Sequence, residues 1–501
     1  MMRKRRLTVL VCLAVFALLL VLYFAVIKPL TAPDEKLPPE PLPLVDEIEQ
    51  EGPNSRYLMF PQIEKKDVKS IRVKNVYGEY EFFRDGDDFL IRDHETAQYE
   101  AQLFAYLVNS TGYTLAMKKV CDYASAETFA QYGLTEPQAS WTITTTAGKS
   151  YSVDVGSKLV TGAGYYCRFV GRDSIYILAQ SLEYTVLQPV EKLVSPVLVV
   201  GIEQSDYYTA DNFMILHGDE PFFATMVKDK KQQNDPNALL EIEVIYPGRY
   251  DPSDGLYYDS LNTISTLTGT AVVKLGFTDD DLTKYGLMSP AYTIGFTYKG
   301  TDVILFISEQ QEDGTYYALS SLFPECIVQC DGETLSFLQA DILKWVSPYI
   351  FRYYITAISE IAVKDKAGEV VFNLMHGKDA AGNETLDVKT NTGKVINNAS
   401  VYNFRLFYKV LVSMVIKDNA PFTEDEVADM VAGTEPYLEL SYKDLSGKET
   451  VLAFYRYSSR RSLLTVDGKG QFYVLTDMLD KIANDTRRVL NDEEIDAYGK
   501  N

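Results

Sequence analysis

The sequence predicts an α+β chain: an N-terminal transmembrane helix followed by three tandem repeats of antiparallel strands with packed helices. Three observations carry this expectation. An uncharged apolar run, Leu7 to Ile27, follows the basic cluster Arg3, Lys4, Arg5 and Arg6. The stretch YGLTEPQASWTITTTAGKSYSVDVG (132–156) has a second copy, YGLMSPAYTIGFTYKGTDVILFIS (285–308). Around both copies, segments of alternating polarity give way to apolar stripes at helical spacing.

The chain has 501 residues, room for two to four domains. With 46% hydrophobic and 24% charged residues it has the composition of packed cores. Its formal charge of −22 repels a polyanion, which sets nucleic acid aside as a partner. The only histidines are His94, His217 and His376, which argues against zinc chemistry and histidine general bases. No cofactor is expected.

The Leu7–Ile27 run has the length of a membrane-spanning helix. Its basic flank should stay in the cytoplasm, leaving the rest of the chain outside a cell membrane crossed once. A cleaved signal peptide would have a shorter apolar core ending at small residues; here Tyr23, Phe24, Val26 and Ile27 crowd the end. Residues 1–27 are therefore read as the cytoplasmic tip and anchor. Residues 28–60, with prolines at 29, 33, 38, 39, 41, 43 and 53, are read as a stiff linker. The repeats are placed at 61–200, 201–351 and, in divergent form, 352–501.

Downstream landmarks extend the repeat. GYYCRF (164–169) and KLVSP (192–196) answer to GTYYAL (314–319) and KWVSP (344–348). In the third copy GTEP (433–436) stands where GLTEP and GLMSP stood. Each unit has strand-like residues on both sides of a glycine, Gly148, Gly300 or Gly447, and so should contain a hairpin opened by Pro137, Pro290 or Pro436. The AGKS within the first copy is such a turn and not a phosphate loop. A P-loop needs glycine where Ile143 stands.

Upstream, VKSIRVKNVYGEYEFFRDGDDFLI reads as paired strands turning at Arg84-Asp85-Gly86. In the matching register His217 and His376 each precede a glycine, and both are expected as exposed turn residues. Amphipathic helices are expected over Tyr99–Leu115, Tyr257–Gly269 and Asn398–Val415. Each is followed by a short helix with a Ser or Thr start: ASAETFAQYGL, TDDDLTKYGL and TEDEVADMV. A closing helix should end each unit.

Cys12 lies in the apolar run. Cys121, Cys167, Cys326 and Cys330 could pair or remain free and buried. Cys326 and Cys330 cannot bridge each other, since four residues of strand span roughly 13 Å.

The combination of an N-terminal apolar run, YGL-x-x-P before a strand, G-x-YY and K-x-VSP resembles the bacterial domain-of-unknown-function family 4340. The resemblance covers the first two units well; the third lacks Tyr-Gly-Leu and has RRSLL (460–464) in place of GYY. Proteins of that family are encoded beside gliding-type ABC transporter components. The resemblance thus implies an accessory part in transport or envelope assembly, with ABC transporter subunits as partners and the membrane engaged through the N-terminal helix. It supplies no catalytic residue. No G-x-S-x-G, H-E-x-x-H or Cys-x-x-Cys motif is present. The expected function is a non-enzymatic binding or scaffold protein, with Tyr132, Tyr165, Tyr285 and Tyr316 as a possible binding surface; an envelope-modifying hydrolase using two carboxylates is the alternative.

Overall fold

The computed structural model describes residues 50–51, 57–203, 209–228, 241–351, 353–396 and 398–497. Among them the chain is mostly sheet, 42% strand against 22% helix, arranged as four antiparallel sheets. This corrects the α+β expectation. The helical stripes are real but short, and tight turns such as Val76-Tyr77 and Gly86-Asp87 return the chain directly into the next strand.

The first large sheet has eight strands: β1 (Val68–Asn75), β2 (Gly78–Asp85), β3 (Asp88–Ile91), β4 (Lys118–Cys121), β5 (Ala139–Thr145), β6 (Ser150–Lys158), β7 (Gly164–Phe169) and β8 (Ile175–Ala179). Their spatial order is β3-β2-β1-β5-β6-β7-β8-β4. A three-stranded sheet joins Gln50–Glu51, Tyr57–Leu58 and Leu115–Ala116.

The second large sheet is built of β9 (Asp211–His217), β10 (Glu220–Val227), β11 (Ile242–Tyr246), β12 (Ala271–Leu275), β13 (Tyr292–Tyr298), β14 (Thr301–Ile307), β15 (Tyr316–Ser320) and β16 (Phe323–Cys330). Its order, β11-β10-β9-β13-β14-β15-β16-β12, is the same topology. The third sheet comprises β17 (Ile358–Asp365), β18 (Gly368–Lys378), β19 (Glu384–Thr390), β20 (Val395–Ile396), β21 (Asp418–Asn419), β22 (Leu438–Asp444), β23 (Glu449–Arg456), β24 (Arg461–Val466) and β25 (Lys469–Leu475). It repeats that order with β20 added at one edge.

The central hairpins follow from local chemistry. Gly148, Gly300 and Gly447 have φ of +84°, +83° and +84°, a left-handed turn conformation that glycine adopts without a β-carbon penalty. One helix per repeat carries aromatic side chains onto the second strand. From α1 (Ala101–Gly112), Phe104 lies 4.8 Å from Phe82. The Tyr257 ring of α3 (Leu256–Ser265) lies 5.9 Å from Phe223. That of Phe404, in α5 (Asn398–Val412), lies 5.2 Å from Phe372. Each such ring, fully buried, contributes about 1.5–3 kcal/mol.

The described residues form two compact units. One takes in those up to Arg92 together with Ala101–Pro189; the other has Asp93–Glu100 and those from Val190 onward. Asp93–Glu100 is held within the second unit by Glu100 N to Leu193 O (2.7 Å), Ser195 N to Gln98 O (2.7 Å) and Thr96 Oγ1 to Glu325 Oε2 (2.7 Å).

Further expectations are corrected. The closing element is a 3₁₀ segment in the first two repeats, Val190–Leu193 and Ile342–Lys344, and an α-helix only in the third, Thr476–Leu490. The upstream strands of the first repeat turn twice, at Val76-Tyr77 and at Gly86-Asp87. The expected anchor at Leu7–Ile27 lies outside the described residues, and no helix among the described residues is long and apolar enough to cross a membrane. The single-pass membrane localisation is corrected on that finding.

Candidate functional site

The Tyr-Gly-Leu of both copies is a helix ending. The helix α2 (Ala126–Gln131) starts at Ser125, whose Oγ accepts from Thr128 N at 3.2 Å. Tyr132 closes it, Gly133 takes φ +71°, and two bonds return: Leu134 N to Phe129 O (2.8 Å) and Gly133 N to Ala130 O (3.1 Å). The helix α4 (Asp279–Lys284) ends alike, with Gly286 at φ +69°, Leu287 N to Leu282 O (2.8 Å) and Gly286 N to Thr283 O (3.2 Å). This is the Schellman ending, which satisfies the last carbonyls through a left-handed glycine. In the third repeat α6 (Glu424–Gly433) runs through the glycine and ends at Thr434 with φ −131°, so the motif has no place there.

The four tyrosines do not share one surface. Tyr132 packs on Tyr166, ring centres 4.3 Å apart, and Tyr285 on Tyr317 at 4.8 Å. Tyr165 and Tyr316 are the strand neighbours of those partners and therefore face the opposite side of their sheets.

On that opposite side the first repeat closes on itself. Tyr165 OH donates to Glu183 Oε1 at 2.6 Å, Lys158 Nζ reaches the same oxygen at 2.6 Å, and Gln180 Nε2 donates to Glu183 Oε2 at 3.1 Å. Hydrogen bonding from Lys158, then from Tyr165 and Gln180, pulls the Glu183 carboxyl down to about 2. Burial, and then Glu183, push the Tyr165 phenol up to about 12.

In the second repeat the same corner is neutral. Lys158 directly precedes the tight turn Leu159–Gly162, and Gln310 directly precedes Gln311–Gly314. Glu183 lies in the 3₁₀ segment Gln180–Tyr184, and Gln339 in its counterpart Ser336–Gln339. Gln339 Nε2 donates to Tyr316 OH (3.0 Å) and to Gln310 Oε1 (2.7 Å), while Gln310 Nε2 donates to Gly314 O (2.9 Å). Beside them opens a cavity of about 350 Å³, with fully buried Tyr316 at its floor and Asp313, Asp331, Glu333 and Ser336 around it. Two Asp-Gly turns form one wall. A methyl group on Gly332 would collide with Gly314 O, so only glycine lets the turns meet.

Comparison with family models, curated proteins and solved structures finds no match.

Sequence reading did not single out Gln310 and Gln339. Nothing in their local pattern marks them; the paired Asp-Gly dipeptides at 313–314 and 331–332 were the available signal.

The histidines do not build a site. His217 ends β9, stacked on Phe222 at 4.0 Å with Tyr292 at 5.1 Å, and burial lowers its pKa. His376 lies inside β18, paired with Leu386, with Nε2 2.7 Å from Ile358 O. His376 is exposed, as the sequence suggested, but lies in a strand and not in a turn, because β18 continues past the position where β9 turns; His217 is half-buried at the strand end, directly before the Gly218 turn. His94 Nδ1 lies 3.8 Å from Glu325 Oε1. Among the described residues, no cluster of three His, Cys, Asp or Glu has metal-binding geometry, and the four described cysteines are free.

Proposed function

We propose that this chain is a non-enzymatic binding protein, an accessory part of a transport or envelope assembly. The observation that carries it is the Tyr316 cavity, a recess lined by polar groups with no His, Cys, Lys or Arg among its described lining residues. A carboxylate-pair hydrolase needs one acid held protonated near neutral pH. Among the described residues, the Asp and Glu carboxyls displaced from their ordinary values, Glu64, Glu183, Asp281, Asp313, Asp379 and Asp444, all move downward. The resemblance of its motif order to the family 4340 proteins is what suggests the assembly context, with ABC transporter subunits as the partners.

Crosslinking in the cells that make the protein, followed by identification of what is captured, tests this. Transporter or envelope-assembly subunits are the expected product. A single Asp or Glu substitution that leaves the chain folded and its partner bound, yet abolishes function in the cell, would instead establish the hydrolase.

A further inference from the structure

We infer that the outer face of the second large sheet docks an amphipathic helix of a partner protein, one with an apolar stripe flanked by basic residues. This rests on the binding function proposed above and adds a surface and the chemistry of what meets it.

Strand register builds this face. Side chains alternate along β9, so Met214 and Leu216 lie on the side opposite Phe213 and Ile215. The latter two are fully buried on the side of α3, where Phe213 meets Tyr257 at 5.7 Å. Cross-strand pairing sets Met214 between Ala224 and Gly295, with Ile304 beyond. The next row runs Leu216, Thr293, Phe306 and Leu319. Met214 lies across Gly295, where a β-carbon would stand 3.3 Å from Met214 Cγ. Met214, Met226 and Ile245 stay 37%, 37% and 48% exposed. Flexible thioethers suit a surface that must adapt to an apolar partner.

The other repeats place charge at the matching rows. In the first, one row reads Glu81, Arg72, Thr142, Ser152 and the next Lys74, Ser140, Asp154, Arg168. Arg72 lies 3.6 Å from Glu81, and Arg168 2.8 Å from Asp154. In the third, Ala362 takes the place of Met214, flanked by Lys364 opposite Glu439 and by Glu360 bonded to Lys443. The same face takes helices within the chain, which selects the shape of the occupant. Val427 of α6 packs with Ala453, Tyr455, Leu463 and Tyr473, and Tyr285, which closes α4, packs on Tyr317. The rim selects the charge. Asp219 and Glu220 at the β9–β10 turn, and Asp302 at the other end of these strands, are exposed. Lys228 and Arg249 are drawn instead to Glu241 (3.8 Å) and Glu243 (2.9 Å). At a formal charge of −22 a second copy is repelled and a basic flank attracted.

The test is fluorescence anisotropy on the full chain with three labelled helical peptides: one of Leu and Lys, one of Leu and Glu, and one of Ala and Lys with the charge of the first. Flotation with phosphatidylcholine vesicles runs in parallel. High salt screens the bulk charge of the chain. The Leu/Lys peptide is expected to bind at least 10-fold more tightly than the other two. Met214→Gln, Met226→Gln and Ile245→Gln together should weaken it at least 10-fold with an unchanged melting curve, and Lys74→Gln on the first sheet should leave it intact. Equal binding of the Leu/Glu or Ala/Lys peptide overturns the inference. So does binding that survives the triple substitution, binding to vesicles in place of the Leu/Lys peptide, or no binding at all. Partner crosslinking is read separately, so a partner captured equally by the native chain and the triple variant would sink this inference and spare the proposed function.

Discussion

Tyr165 donates its hydroxyl hydrogen to Glu183 Oε1 at 2.6 Å. Lys158 shares that oxygen, and the carboxyl is held at about 2 in the folded chain. A depressed carboxyl stabilises the fold above its unfolded value, near 4.3, and loses that contribution as the pH falls toward 2. Glu183→Gln should therefore melt below the native chain at pH 7. The gap should narrow from about pH 4.5 downward and close near pH 2. Melting temperatures of both proteins across that range check it; a gap independent of pH would mean that the ionised carboxylate is not what stabilises the corner.

The four tyrosines should respond differently to loss of the hydroxyl. Tyr132→Phe and Tyr285→Phe keep the rings on Tyr166 and Tyr317 and should stay within about 0.5 kcal/mol of the native stability. Tyr165→Phe removes a hydrogen bond to a charged acceptor, and a loss of about 1–2 kcal/mol at pH 7 is expected in urea denaturation. Equal effects at Tyr132, Tyr285 and Tyr165 would contradict the separation into two sheet faces.

Glycine substitutions should rank by space as well as by φ. Gly148→Ala and Gly300→Ala meet no atom within 4 Å, so only the left-handed backbone matters, at about 1 kcal/mol each. Gly133→Ala adds a collision, since its β-carbon would lie 2.5 Å from Ser157 Oγ and 3.1 Å from Ser157 N. Gly286→Ala has only Ser308 Cβ at 3.4 Å. Chemical denaturation should find Gly133→Ala the most destabilised of the four.

Thiol reactivity should single out Cys121 among the described cysteines. It is half-buried, whereas Cys167, Cys326 and Cys330 are buried. Burial pushes the Cys326 and Cys330 thiols up to about 12 and raises that of Cys167 further. The thiolate is the reactive form. Titration of the native protein with a thiol reagent at pH 8 should modify Cys121 first, and the other three only with denaturant. Fast native labelling of Cys326 or Cys330, mapped by mass spectrometry, would contradict this burial.

Several elements were legible because their causes are local. The hairpin glycines 148, 300 and 447 are needed for a left-handed turn whatever surrounds them. The starts at Ser125, Thr278 and Thr423 bond backbone groups only three residues away. The closing element was not legible: Val190–Leu193 and Thr476–Leu490 end matching units, and the α-helix forms where Leu479, Ile482 and Val489 find a face to bury. His376 was misplaced because strand length depends on the partner, and β19 pairs with β18 through Lys378.

The sequence by itself determined the repeated hairpins, the capped short helices and the absence of familiar catalytic motifs, since each depends on residues a few positions apart. Tertiary structure decided the predominance of sheet, the opposite faces taken by Tyr165 and Tyr166, and the meeting of Tyr316 with Gln339. Gln339 lies 23 residues beyond Tyr316, and the chain between them forms a strand pair and a 3₁₀ turn before returning. No local pattern encodes that return. It follows from strand register and from packing of the core beneath, where the energy of each contact depends on every neighbour at once.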